Sequence, residues 1–382
     1  MASTTSTKTV PVEKHASEKK SFTENLKHAI TLQFAPPRYL SLPTAGIDVS
    51  ASGIKVVTLH EHAHGLELSF FKEVKFAVSS APATDTERMS EVAHLLQEVA
   101  AEHHIRRANI ELSEARGYLF EATVDGHTPQ DWRTGVEQHL DEYVPLPPAE
   151  VAFDAVPLSI EGAQTHLVGI GYARRVVDEA LALFESARIE VRALESETFA
   201  LPRAILPHGD KETVLIIDIG KSSTKLLVVT NRLPRFATTL DIGGHALTLA
   251  VQKYFGVTEE EAKRVKAERG MVPGPDNDEY IAAMLSTVSA IREEIMRRID
   301  YWDSRKTQIA NYERISRAIL VGGNATLRGL PEYLEAALKV PVELGDVFTN
   351  FAPRADWLPP LDYMESLAFG TAIGLALREY VP

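Results

Sequence analysis

Two short stretches of this chain set a carboxylate, small hydroxyl residues and a lysine in the same order. Gly46-Ile47-Asp48-Val49-Ser50-Ala51-Ser52-Gly53-Ile54-Lys55 and Ile216-Ile217-Asp218-Ile219-Gly220-Lys221-Ser222-Ser223-Thr224-Lys225 each read as an apolar strand ending in Asp, a turn of small residues, then a lysine entering a second β-branched strand. Such a turn curls backbone N–H groups and hydroxyls around a phosphate, while the Asp holds a hydrated Mg²⁺. The candidate phosphate contacts are Ser50, Ser52 and Lys55 in the first turn and Gly220, Ser222, Ser223 and Thr224 in the second; Asp48 and Asp218 are the candidate Mg²⁺ sites, through water. Strand alternation sends Lys221 and Lys225 to different faces, so Lys225 alone reaches inward and Lys221 reads as a surface charge. A third stretch, Ile319 to Leu330, is a strand running into Gly322-Gly323-Asn324, where the missing Cβ lets a backbone approach a ribose or a flat ring. Any one of these is ordinarily a plain hairpin, with Asp48 as a turn cap and Lys55 in solvent. The three in this order describe two hairpins that grip a nucleotide from opposite sides.

The elements that must position them are legible from periodicity. Alternation predicts strands at Ala45–Val49, Ile54–Glu61 and Leu66–Val78, and the apolar stripe of Arg88–Glu102 a helix. After a strand at Arg107–Leu112, the pattern gives strand 118–124, helix 128–143, strands 151–160 and 164–172, helix 175–186 and strand 189–194. This is enough for a small α+β lobe over 105–195. A connecting helix (195–206) leads to strands 213–219, 224–231 and 233–241, then a helix from His245 to Phe255. Thr258 and Glu261 have capping-box spacing before the next helix. A long helix is expected at 279–312, with further helices at 331–338 and 364–378. The two halves repeat one pattern: strand, turn, strand, strand, then helices. The domain reading is a tail over 1–44, first domain 45–104, lobe 105–195, connector 196–211 and second half 212–382, with the last helix (364–380) returning to the first domain.

Composition bounds the function. At 382 residues, 45% hydrophobic and 24% charged, the chain reads as a soluble protein of two or more domains. A net charge of −13 argues against a general nucleic-acid surface. The chain has no Cys, which excludes disulfides, Cys-ligated zinc and thiol catalysis. No run approaches eighteen apolar residues and the start lacks a signal-peptide layout, so a cytoplasmic location is expected. Phe22, Leu26, Ile30 and Phe34 have helical spacing, as an amphipathic helix or a frayed linker would. The 13 His residues form no metal-ligand spacing.

The turns at Asp48–Lys55, Asp218–Thr224 and Gly322 resemble the first phosphate, second phosphate and adenosine motifs of the actin-like ATPase superfold. Within it, residues 45–380 resemble the PilM family of type IV pilus assembly proteins. The likeness is carried by Glu137 to Leu146 ahead of Glu150-Val151-Ala152-Phe153-Asp154, by Ala173-Arg174-Arg175-Val176-Val177, by Glu197-Thr198-Phe199-Ala200-Leu201, by Gly256 to Ala262 and by Ala368 to Arg378. The resemblance implies an α/β actin-like fold: two duplicated βββα-type domains around a nucleotide cleft, with the inserted lobe replacing actin's subdomain 1B. It implies ATP and Mg²⁺ in the cleft and weak or no turnover. The N-terminal cytoplasmic peptide of PilN would lie between the first domain and the lobe. Pilus motor and platform proteins would be further partners, self-association is possible, and attachment to the inner membrane would be peripheral.

The family's first turn usually has Gly where this chain has Ser50. Relatives carry a Glu-Ala-Glu-x-x-Lys motif for ribose and adenine; here it reads Glu261-Ala262-Lys263-Arg264-Val265-Lys266, which keeps Glu261 and Lys266 and reverses the charge at Lys263. Glu197 matches the position that orients the attacking water in filament-forming relatives, a general-base candidate that equally reads as a helix cap. An FtsA-like membrane-tethered filament ATPase is the alternative. Its anchor lies at the C-terminus in that family, whereas this chain ends at Tyr380-Val381-Pro382.

Overall fold

Two five-stranded sheets of identical topology form the frame. The computed structural model describes residues 44–76, 85–275, 277–307, 309 and 311–381; the Phe22–Phe34 stretch and the tail around it lie outside these. The chain runs β1 (Ala45–Ser50), β2 (Gly53–His62), β3 (Gly65–Lys75), α1 (Asp85–Glu102) and β4 (Arg107–Leu112). Next come β5 (Gly117–Asp125), α2 (Pro129–Gln138), α3 (Leu140–Tyr143), β6 (Val151–Glu161), β7 (Gln164–Ala173), α4 (Arg174–Ser186), β8 (Glu190–Ser196) and α5 (Glu197–Ile205). The second half holds β9 (Thr213–Ile219), β10 (Thr224–Thr230), β11 (Leu233–Leu240), α6 (Gly244–Phe255), α7 (Glu259–Arg269), α8 (Asp278–Ser304), β12 (Arg317–Val321), α9 (Leu330–Leu338), β13 (Val342–Leu344), α10 (Tyr363–Ser366) and α11 (Gly370–Leu377).

The strand orders are β3-β2-β1-β4-β8 and β11-β10-β9-β12-β13. In each sheet the first three strands are an antiparallel meander and the last two run parallel to the central one. Parallel central strands are covered on both faces, which is why β9 is apolar along nearly its whole length and buried at all but Asp218. Pairing across 84 residues, Leu112 with Ser196, brings β4 and β8 into the first sheet. The lobe is therefore narrower than 105–195. Its sheet is β5-β7-β6, where Val124 and Val151 pack with Val136 of α2 and Leu140 of α3, while α4 packs through Phe184 with α1 on the first sheet.

Other boundaries move for local reasons. The expected 128–143 helix breaks at His139, whose backbone leaves the helical region. The long helix stops at Ser304, short of 312. The terminal helix is three pieces, α10, a 3-10 turn at Leu367–Phe369, and α11, all of whose residues are buried. Helix α11 packs on β1, β2 and α5, and its Leu375 carbonyl accepts the buried Asn109 side chain at 2.9 Å.

Candidate functional site

The two Asp–Lys pairs occupy equivalent register positions. Asp48 pairs with Lys55 across β1–β2, and Asp218 with Lys225 across β9–β10. Both turns and the turn after β12 line one cavity of about 460 Å³. Glu111 near the end of β4 and Glu197 just past β8 line it as well, so the site gathers at the carboxyl ends of the parallel strands, where α/β sheets bind ligands.

In the first half the turn is short and internally bonded. Ser50 pairs with Gly53, so the loop proper is Ala51-Ser52. Ser50 keeps a negative φ at the strand end, so the turn does not need the family's glycine there; the unusual φ of +151° falls on Gly53 instead, beneath the Val74 carbonyl. The Ser50 and Ser52 hydroxyls lie 2.9 Å apart, and Lys55 Nζ reaches Ser52 Oγ at 3.4 Å and Asp48 Oδ2 at 3.6 Å. Asp48 Oδ1 is buried with no N–H or hydroxyl donor on it, and the Asp48 side chain lies against the Glu111 carboxyl. A buried carboxylate oxygen without such a donor suits a cation or its water.

In the second half the lysine crosses the cleft. Lys225 Nζ pairs with Glu197 Oε2, and Glu197 Oε1 accepts the Glu114 backbone N–H at 3.0 Å. Gly220 N–H donates to the Ser223 carbonyl at 2.9 Å, closing a loop that leaves Lys221 and Ser222 exposed on the cavity wall. Lys221 thus faces the cleft mouth rather than an unrelated surface. Gly322 has φ +91°, and a Cβ there would stand 2.2 Å from Asp218 Oδ1, so only glycine lets the β12 turn lie against that carboxylate. Asn324 lines the cavity and ties this turn down, donating to the Gly220 carbonyl at 3.0 Å.

The electrostatics are those of a crowded acidic site. Burial raises the Asp218 carboxyl above its usual range, with Glu197 and Asp48 adding to the rise against Lys225. Burial, then the charges of Asp48 and Glu197, hold Glu111 well above its usual range. Burial alone would lower the Lys225 ammonium, but Glu197, Asp218 and Glu111 hold it well above an ordinary lysine. In the inner part of the cleft the carboxyl groups of Asp48, Glu111, Glu197 and Asp218 face Lys55 and Lys225, while Glu73, Arg88 and Lys221 line its outer wall. The excess of carboxyls in the inner cleft, together with the Asp48 oxygen that no N–H or hydroxyl reaches, fits a divalent cation held through water at Asp48 and Asp218. Among the described residues no three His, Asp or Glu side chains form a direct metal cluster.

Three expected contacts are not on the cavity wall. Thr224 is fully buried and its hydroxyl is spent on the Ile242 carbonyl at 2.7 Å. Glu261 is exposed and completes the capping box of α7, accepting from the Thr258 N–H and hydroxyl at 2.9 Å. Lys266 sits behind Asn324, donating to its Oδ1 at 2.8 Å and to Gly244 O and Thr248 Oγ1 at 3.2 Å; burial lowers its ammonium to about 8. Lys263 turns to Glu259 and Glu260 on the exposed face of α7. Glu111 lies in a strand with no turn motif; its clue in the sequence was a carboxylate one residue from the end of a strand whose Ala108, Ile110 and Leu112 are buried.

A second cavity, about 360 Å³, opens between the first domain and the lobe. Val156, Tyr172, Leu194 and Phe199 give it apolar walls. At its edge Glu195 accepts Arg203 through both oxygens at 2.7 Å and Arg378 at 2.7 Å.

Duplicated sheets, an inserted lobe and a shared cleft define the actin-like ATPase fold. Solved structures with that likeness include the PilM-PilN type IV pilus biogenesis complex (TM-score 0.70, 21% identity, 89% of this chain and 99% of that one). They also include the ethanolamine utilization protein EutJ from Carboxydothermus hydrogenoformans (TM-score 0.50, 15% identity, 93% and 98%) and MreB5 of Spiroplasma citri bound to ADP (TM-score 0.50, 10% identity, 89% and 97%). A curated relative, cell division protein FtsA of Streptococcus pneumoniae serotype 2 (strain D39 / NCTC 7466), is 22% identical over 204 residues, 49% of this chain. The match spans 45% of that protein, under half its length. The family model for type IV pilus assembly protein PilM matches residues 46–380, and the chain belongs to that family. Among the described residues no helix is long and apolar enough to cross a membrane.

Proposed function

We propose that this chain is an ATP-binding scaffold of a type IV pilus assembly machine that captures the N-terminal cytoplasmic peptide of PilN. The observation that carries the nucleotide half is the single cavity lined by the Asp–Lys pairs of both halves. Asp48 and Asp218 hold Mg²⁺ through water, which supplies charge neutralisation of the phosphates. Ser50, Ser52, Ser222 and Ser223 offer hydroxyls and N–H groups, Lys55 a cation, and the Gly322-Gly323-Asn324 turn a backbone surface for the nucleoside. The MreB5 likenesses, with ADP and with AMPPNP, support this reading. Both Glu197 oxygens are already engaged, so its role is to position Lys225 and the Glu114 loop; as a general base it would first have to release them.

The second cavity is the place for the peptide. It lies between the first domain and the lobe, has apolar walls, and is supported by the likeness to a PilM-PilN complex. Calorimetry on the full chain tests both halves. Mg-ATP is expected to bind with a 1:1 stoichiometry, and so is a synthetic peptide from the PilN N-terminus of the same organism. A folded protein that gives no heat with the peptide would remove the pilus-scaffold role.

A further inference from the structure

Four residues close a ring across the seam between the second half and the inserted lobe. Lys225 Nζ on β10 pairs with Glu197 Oε2 at the start of α5. Glu197 Oε1 accepts the Glu114 N–H at 3.0 Å, and Glu114 Oε2 accepts the Thr239 hydroxyl at 2.6 Å. Thr239 stands opposite Lys225 in the β10–β11 ladder, which completes the ring. Farther along β11, Arg235 holds Glu121 of β5 through two hydrogen bonds, 2.6 and 3.1 Å. Of these residues Lys225 and Glu197 line the cleft; Glu114 and Thr239 stand behind them.

We propose that Lys225 is an anion-sensitive latch: polyphosphate in the cleft draws it off Glu197, the ring opens, and the Glu114 segment leading into the lobe comes free of β11. The proposal rests on the nucleotide reading above. The Lys225 side chain is 23% exposed, so an anion in the cleft can reach its ammonium, whereas Glu197 is 3% exposed. A phosphate chain offers that ammonium several anionic acceptors at once, whereas its direct ion pair is with Glu197, while Asp218 and Glu111 act on it as neighbouring charges. Glu197 left buried without its cation is strongly disfavoured as a carboxylate, and rehydrating it means parting the seam. The device therefore has two discrete arrangements rather than a graded response. Arg235–Glu121 lies outside the ring and stays as the pin about which the lobe moves.

Hydrogen–deuterium exchange over 113–120 and 236–240, with Mg-ATP binding followed by calorimetry on the same samples, tests this. Saturating Mg-ATP is expected to raise exchange severalfold in both segments of the natural chain. Lys225→Gln and Thr239→Val are expected to raise it without ligand. Linkage adds a readout that a merely structural contact would not move: Thr239→Val relaxes the ring from outside the cleft, so it tightens Mg-ATP binding, on the order of fivefold. Thr239→Val keeps the shape of the side chain and leaves the test readable if Lys225→Gln does not fold. Bound Mg-ATP with unchanged exchange, or an unchanged affinity in Thr239→Val, overturns the latch while the nucleotide reading stands. No Mg-ATP binding by the folded natural chain overturns both.

Discussion

Asp218 is held in an unfavourable place. Burial and the neighbouring Glu197 and Asp48 raise its carboxyl, so its charge works against the fold at neutral pH. Buried charges kept at such expense are expected at binding sites. Asp218→Asn removes the charge and keeps the shape. In the absence of ligand its melting temperature should rise, by roughly the few degrees typical of one stabilising substitution. The stabilisation by Mg-ATP seen in the natural chain should be largely lost. A scan with and without Mg-ATP reads both effects, and equal ligand shifts in the two proteins would take Asp218 out of the site. Its counterpart Asp48 sits in different company: one oxygen faces Lys55, and the side chain lies against the Glu111 carboxyl.

At the level of elements, the Lys266 ammonium joins three pieces, bonding the start of α6 at Gly244 and Thr248 and the β12 turn at Asn324. Burial, with a contribution from Lys263, lowers it to about 8, against 10.5 for an ordinary lysine. Below pH 8 folded and unfolded chains both carry the charge and the fold bears the whole burial cost. Between about 8 and 10.5 the unfolded chain keeps a proton the folded one has released, so stability rises with pH. Urea unfolding at pH 7.5 and 10 should show that gain, about 2 kcal/mol by linkage, and Lys266→Met should lack it. A variant with the same pH slope as the natural chain would show that Lys266 is not the source. This lysine also marks how far sequence could lead. Strand and helix positions followed from periodicity, and the two Asp-to-Lys turns were legible because each is local. What escaped depends on distant pairing. The β4–β8 ladder assigns flanks of the expected lobe to the first sheet, and Lys225 finds Glu197 only once two halves of the chain are assembled. Glu261 offered two readings, and its capping box, formed within four residues, claimed it.

Across the whole molecule, two cavities share one piece of backbone. Glu195 edges the groove beside the lobe, Ser196 lines it, and Glu197 lines the cleft between the two halves. One strand end therefore serves both sites, while their chemistry differs: the cleft is charged and the groove mainly apolar. A variant can consequently separate them. Val156 is half-buried on β6, and strand alternation sends it to the face opposite Phe153 and Ala155, which pack on the lobe's own core. Val156→Asp leaves that core intact and puts a charge on the groove wall. Losing the burial of one valine costs about 1.5 kcal/mol, roughly tenfold in affinity, and desolvating the new carboxylate adds to it. PilN-peptide binding by calorimetry should therefore weaken by at least about tenfold, while the Mg-ATP thermal shift should match the natural chain. Peptide affinity unchanged in Val156→Asp would move the peptide to another surface, and a nucleotide shift lost together with the peptide would mean the two cavities do not act as separable sites.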